Sequence, residues 1–303
     1  MRTVSNLTTE ELSESRSNPQ KSNLIIRRLA RAPWWFLVIL GLVIMLVMAV
    51  FDNNLYSSAW EDVQFGIIIT VRVTLSAYSL ALIMGLMIAL LRSPSESVLY
   101  NLFVYQPVTF YVEVVRGIPT LVLLLYIVLA LIPQGVGIIN YAGELLLEEQ
   151  QAFGGFSEYL ATLRVRDIGF ESRAIFALAI SYSAFLAEVF RAGIESVDKG
   201  QREAAYSLGM TTWQVNRYIV LPQAIRNILP PLGNDFIAML KESSLVSIVG
   251  VDDITRLARN FNSATFTIFP AYNIITMTYL MLTLSLSMLV KAIEMYLGRG
   301  KSH

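Results

Sequence analysis

The sequence predicts an all-α integral membrane protein with about six membrane helices, and three observations carry that prediction. Of its 303 residues, 55% are hydrophobic and 15% are charged, against about 45–50% apolar and about 25% charged in soluble domains; the mean hydropathy is +0.56. Apolar runs recur along the chain, several near the roughly 20 residues that a helix needs to cross a bilayer. There is no cysteine, and the only histidine is His303, so disulfides, thiol nucleophiles and cysteine or histidine metal sites drop out. Lys+Arg and Asp+Glu both number 23; net charge singles out no partner, and no nucleic acid is expected.

The elements follow in order. Residues 1–31 are a polar N-terminal extension. Arg27, Arg28 and Arg31 precede an uncharged run from Trp34 to Phe51, and Asp52 follows it. This predicts a first membrane helix within 32–52, with the N-terminus in the cytoplasm. The run lies too far along for a simple signal peptide, and no small-x-small cleavage site follows. After a short outer loop, Phe65 to Leu91 is the second span, ending inside at Arg92. It contains Arg72, which must face protein or a water-filled cavity, or snorkel to the outer interface, because an arginine in hydrocarbon costs a few kcal/mol. Ser93 to Arg116 reads as an inner-face helix leading into a short third span, Ile118 to Ile132, which could start near Val112 with Pro119 as a kink.

Residues 134–172 form a long outer loop. Glu144, Glu148, Glu149 and Glu158 make it acidic; Arg164, Arg166 and Arg173 make its end basic. It is either a docking surface for an external partner or a solvated amphipathic helix. Ala174 to Phe190 is the fourth span and delivers the chain to an inner loop, 191–224, that carries Arg191, Lys199, Arg202 and Arg217. Between that loop and the last span, Ala271 to Val290, the stretch 225–251 is interrupted by Pro230, Pro231, Asn234, Asp235, Lys241 and Glu242. The loop is inside, and Lys291, Arg299 and Lys301 put the C-terminus inside too. An even number of crossings must separate them, so 225–251 crosses once, with its polar residues turned away from lipid.

The inner loop holds the most specific pattern in the chain. Glu203-Ala204-Ala205 is followed after three residues by Gly209, and nine residues later come Ile219-Val220-Leu221-Pro222. Gln201 to Leu208 is built of good helix formers. Gly209 stands where a helix C-terminus favours positive φ. Thr211 and Gln214 have the spacing of a capping box. Pro222 ends the second helix or bends the chain beyond it. The expected product is two short helices joined at a glycine elbow, with small alanines that let another protein approach.

This pattern, EAA-x3-G-x9-I-x-L-P, resembles the cytoplasmic coupling loop of ABC importer membrane subunits. The segments GIIITVRVTL, AEVFRAGIESVDKGQREAAYSLGM and VLPQAIRNILPPLGNDFIAMLKESSLVSIVG extend the resemblance to polar amino acid ABC importer permeases, the group of the histidine, glutamine, glutamate and arginine systems, over about residues 65–295. The resemblance implies a type I ABC importer permease fold with a five-helix core at 65–297, which makes 32–52 an added helix and much of 134–172 an insertion. It implies a bacterial inner-membrane protein whose coupling helices, at 200–219, dock on a separate ATPase. Glu203, Ala204, Ala205, Gly209, Leu221 and Pro222 carry that motif. The implied partners are two ATPase subunits that hold ATP and Mg, a second permease subunit (self or paralogue), an external binding protein and the amino acid itself. No cofactor is expected in this chain. It lacks a G-x4-GK-[ST] phosphate loop and so cannot be the ATPase; it reads as a transport subunit, not an enzyme.

A zwitterion in low dielectric needs paired polar groups, and ionisable residues within membrane segments are the natural candidates. Those are Arg72, Tyr182, Glu188, Asn234, Lys241, Glu242, Ser243 and Ser244. Equally, Glu188 and Lys241–Glu242 could be internal pairs that hold helices together. Both signs are present, so the charge of the solute stays open. Other readings are a permease for opines or another small polar solute, a stand-alone secondary transporter, for which no inverted repeat is visible, a membrane-embedded enzyme, and a purely structural membrane protein.

Overall fold

A computed structural model describes residues 34–93, 95–148 and 154–298; the N-terminal extension and its arginines, with Glu149, Arg299, Lys301 and His303, lie outside them. Helix α1 is Trp34–Asp52 and α2 is Asn54–Leu91. Helix α3 covers 98–117 and α4 covers 120–148, each with a π turn inside it, Asn101–Tyr105 and Ile127–Leu131. Then come α5, Gly154–Thr162, and α6, Phe170–Glu195. Helix α7 is Lys199–Ser207, and α8 covers 212–242 with a π turn at Asn216–Val220. A 3-10 segment, Ser243–Val249, leads to α9, Ile254–Thr265, and α10, Ile268–Gly298.

Helices α2 and α6 form the spine. The buried face of α2 runs through Gly66, Thr70, Val73, Ala77, Ala81, Gly85 and Ala89, and that of α6 through Ala174, Ala177, Ser181, Ala184 and Ala187. Such small residues let two membrane helices approach closely, since packing rather than hydrophobicity drives their association in lipid. A Cβ on Gly85 would lie 2.9 Å from the Leu186 Cβ. One core joins α2, α3, α4, α6, α8 and the 3-10 segment; a second joins α1 and the outer half of α2 to α9 and α10.

Among the described residues, five helices are long and apolar enough to cross a membrane, spanning 54–91, 98–117, 120–147, 170–195 and 268–296. The expected first membrane helix is not among them, Leu37–Asp52 of α1 counting only as a shorter apolar helix, and the set differs from the expected one in three further places. First, 98–117 qualifies on its own, and α3 and α4 both pack on α6: Tyr111 bonds Ser183 and the Ile180 carbonyl, while Ile127 and Ile139 of α4 line a cavity with Phe176 and Ile180. Second, the third span does not stop at Ile132. Helix α4 runs through Pro133 to Glu148, and α5 packs back on it, with Gly143 against the backbone of Ala161; part of 134–172 is thus a helical hairpin rather than a loop. Third, 225–251 is not one helix. It breaks after Glu242, and its prolines and polar groups are accommodated by neighbours, with Gly193 against Ile228 and Gly233 against Val290.

The prolines share a device. Each π turn ends two residues before a proline: Pro107, Pro133 and Pro222. A proline clashes with the carbonyl four residues back and offers it no N–H. That carbonyl belongs to the middle residue of each π turn, where the wider coil makes room. The residue before each proline bonds five residues back instead: Gln106 to Asn101, Ile132 to Ile127, and Leu221 to Asn216. Pro222 therefore neither ends the helix nor starts a new one, and the expected short second helix is the foot of α8.

Candidate functional site

Two regions concentrate the functional residues singled out by the sequence, and helices α6 and α8 connect them. The first is the loop between those helices. The Asp198 side chain accepts from the Gly200 and Gln201 amides and starts α7. The helix closes in a Schellman arrangement, with Gly209 N–H on the Tyr206 carbonyl at 2.9 Å and Met210 N–H on the Ala205 carbonyl at 3.2 Å. Gly209 has φ +81°, a conformation that costs a residue with a side chain about 1–2 kcal/mol. Thr211 and Gln214 form the expected capping box.

The loop is tied on every side. Arg202 donates to the Ile194 carbonyl at 2.7 Å, Gln223 donates to the Gln201 side chain, and Asn227 donates to the Ser196 hydroxyl at 2.9 Å. Beneath it lies a small core of Val197, Ala205, Val215, Val220, Ala224 and Ile228. Ala205 thus packs inward, while Glu203, Ala204, Gly209, Leu221 and Pro222 are exposed. Around them stands an exposed apolar surface that includes Leu208, 83% exposed, and Trp213, 62% exposed. The Arg217 guanidinium lies over the Trp213 ring at 5.0 Å.

The second region lies midway along α6 and over the last two turns of α8. Tyr182 is buried, and its hydroxyl faces the Glu242 carboxylate, with Asp235 and Tyr78 close by. Tyr78 donates to the Leu232 carbonyl at 2.6 Å and packs on Phe236. The Glu242 Oε2 and Asp235 Oδ2 atoms are buried, and no protein group hydrogen-bonds them. A buried carboxylate oxygen without a donor is costly; the arrangement suits a donor brought by a ligand or water. Asp235 was not among the candidates from the sequence. Its signal was the seven-residue spacing to Glu242, which puts both on one helix face.

The other candidates lie elsewhere. Arg72 pairs with Glu171 at 2.5 Å on the exposed side of the α2–α6 junction. Glu188 accepts from Arg92 and Arg191 near the inner end of α6. Asn234 and Lys241 are exposed on the face of α8 beside that of Asp235 and Glu242. Ser243 is buried and donates to the Leu240 carbonyl, and Ser244 sits in the 3-10 segment. Among the described residues no group of histidines, cysteines or carboxylates has the arrangement of a metal site.

A helical bundle that crosses a membrane and projects a braced loop between α6 and α8 defines a membrane component of a transport system. The chain belongs to the family described as "Binding-protein-dependent transport system inner membrane component", which matches residues 81–299. It is 33% identical over 247 residues to the probable amino-acid permease protein YxeN of Bacillus subtilis, covering 82% of this chain and 96% of that one. It is 43% identical over 132 residues to the probable glutamine ABC transporter permease protein GlnM of the same organism, covering 44% of this chain and 61% of that one. A solved structure described as "Crystal structure of an amino acid ABC transporter with histidines" superposes with a TM-score of 0.61 at 36% identity, covering 82% of this chain and 97% of that one. The fold is that of type I ABC importer permeases. The chain is a permease subunit and not itself an enzyme; hydrolysis belongs to a separate ATPase subunit, and delivery to a binding protein.

Proposed function

We propose that this chain forms part of the translocation pathway of an ATP-driven importer of polar amino acids in a bacterial inner membrane, with both termini cytoplasmic. The observation that carries the reading is that Tyr182, midway along α6, faces Asp235 and Glu242 on the last turns of α8, each with one buried carboxylate oxygen that no protein group donates to, and that the braced loop joins these two helices. A push on the loop therefore reaches the helices that would hold the solute. The relatives named for amino acids and glutamine support the substrate class.

In this reading Glu203, Ala204, Gly209, Leu221 and Pro222, with the exposed Leu208 and Trp213, seat the loop on the ATPase, while Ala205 holds its shape. ATP and Mg reside on that partner, present in two copies. The carboxylates of Asp235 and Glu242 accept from the ammonium group of the solute. Asn234 and Lys241 are exposed at a depth where lipid cannot satisfy them, which supports a second permease subunit, self or paralogue, across that face. The external binding protein approaches from the side that carries α5.

The test is ATP hydrolysis in proteoliposomes holding this chain, its partner permease and its ATPase, with binding protein and a panel of amino acids. Stimulation by a subset of the panel is expected. An assembled complex with basal hydrolysis that responds to no amino acid would overturn the proposed substrate class.

A further inference from the structure

The inner ends of α2, α3 and α6 are joined by a network of charges that the pathway and the loop do not account for. Arg92 is the residue that caps α2, and its side chain is only 12% exposed. Its guanidinium divides between two helices, with Nη1 on Glu188 Oε2 of α6 at 2.8 Å and Nη2 on Glu113 Oε1 of α3 at 2.9 Å. The Nε atom adds a longer contact to the Thr109 hydroxyl of α3 at 3.4 Å. Glu188 also accepts from Arg191, which in turn holds Glu195, the last residue of α6, at 2.9 Å. Arg116 of α3 acts on Glu188 as a further neighbouring charge. Three arginines thus face three glutamates, and the set is neutral.

The path continues into the loop. Beyond Glu188 along α6, the Ile194 carbonyl accepts from Arg202 of α7. An unbroken series of polar contacts and helix backbone therefore runs from α7 through the end of α6 to Glu188, then through Arg92 to α2 and through Glu113 to α3. Helices α2 and α6 carry Tyr78 and Tyr182 of the mid-membrane cluster. Without Arg92, the ion pair that holds the end of α2 to α6 would be lost, and α3 would keep to α6, beyond side-chain packing, only the Tyr111 contacts with Ile180 and Ser183 and the looser Arg116, which stands near Glu188 and over the Phe185 ring.

We propose that Arg92 is a positioning residue for coupling: it fixes the inner ends of α2 and α3 to α6 so that movement of the loop displaces all three helices together. The inference rests on the reading of 191–224 as the ATPase-coupling element. The chemistry requires arginine, because a planar fork can hold two carboxylates on different helices at once, whereas a lysine ammonium is a single point of charge. Networks of this kind contribute coupling rather than affinity, and their loss changes coupling by about tenfold.

The experiment uses the reconstituted complex with its binding protein. Three quantities are read: basal ATP hydrolysis, the stimulated-to-basal ratio with amino acid, and the amino acid concentration at half-maximal stimulation. For Arg92→Ala the ratio is expected to fall about tenfold, with basal hydrolysis and the half-maximal concentration unchanged. Arg92→Lys should fall between it and wild type, and so should Glu113→Gln, which touches only an exposed partner and spares the fold. A wild-type ratio in Arg92→Ala and Arg92→Lys would overturn the proposal; so would a ratio that falls only in step with loss of assembled complex, since that marks a purely structural contact. Failure of the underlying reading looks different: Glu203→Lys in the loop would then leave the stimulated-to-basal ratio at its wild-type value.

Discussion

The loop between α6 and α8 and the mid-membrane cluster on the same two helices are built by opposite rules. In the loop nearly every polar group is spoken for. Asp198 and Thr211 cap its helices, the Schellman turn closes on Gly209, and Arg202, Gln223 and Asn227 bind it to its flanks. What it leaves open is apolar surface. In the cluster the apolar groups are packed, while two carboxylate oxygens lack a donor. On the proposed function, the lesson is that a part which transmits force is internally satisfied, and a part which receives a solute holds its polar groups in reserve.

Substitutions break this comparison in order of expected size. Gly209→Asp should abolish uptake, because it forces a side chain into φ +81° at about 1–2 kcal/mol and disturbs the exposed surface at the turn. Uptake assays beside pull-down of the ATPase check it; normal uptake would sink the coupling assignment. Next, Glu203→Lys changes an exposed residue and leaves the fold intact, so a loss of uptake with unchanged thermal stability is expected. In the cluster, Glu242→Leu should slow transport more than tenfold, about the worth of a hydrogen bond to a charge at roughly 1.5–3 kcal/mol, while the ATPase still copurifies. Tyr182→Phe removes one hydroxyl and should raise the half-saturating solute concentration about fivefold. The smallest effect belongs to Arg72→Gln. Its pair with Glu171 is exposed, and such pairs contribute little, so transport kinetics indistinguishable from wild type are expected; a clear rise in half-saturating concentration would return Arg72 to the pathway.

The two regions were also unequally legible from sequence. The loop depends on local chemistry. A helix-forming run, a glycine at the C-terminus and a Thr–Gln capping pair all lie within a dozen or so residues, and the structure reproduces each. What local reading missed was Pro222, which looked like a stop because the widened turn before it has no sequence signature of its own. The same blindness placed the end of the third span at Ile132, just before Pro133. In the cluster, the sequence supplied the helix and Glu242, but took residues from two adjacent faces together and left out Asp235. Asn234 and Lys241 are seven residues apart, as are Asp235 and Glu242, so the two faces differ by a single residue. Only the packing of Tyr78 and Tyr182 decides which one looks inward. Arg72 and Glu188 stood out as charges in apolar runs; helix spacing reaches the Arg191 partner of Glu188, but Glu171 and Arg92 lie far away in the chain, beyond any periodicity argument.

The π turn at Asn216–Val220 lies between the two regions, and it carries one residue more than an α-helical turn would. Had the turn kept α geometry, which Pro222 forbids, everything beyond it would be rotated by about 100°. The face of Asp235 and Glu242 would then point away from Tyr182, and a neighbouring face toward it. A single surplus residue beneath Pro222 therefore sets the bearing of α8 where the carboxylates lie.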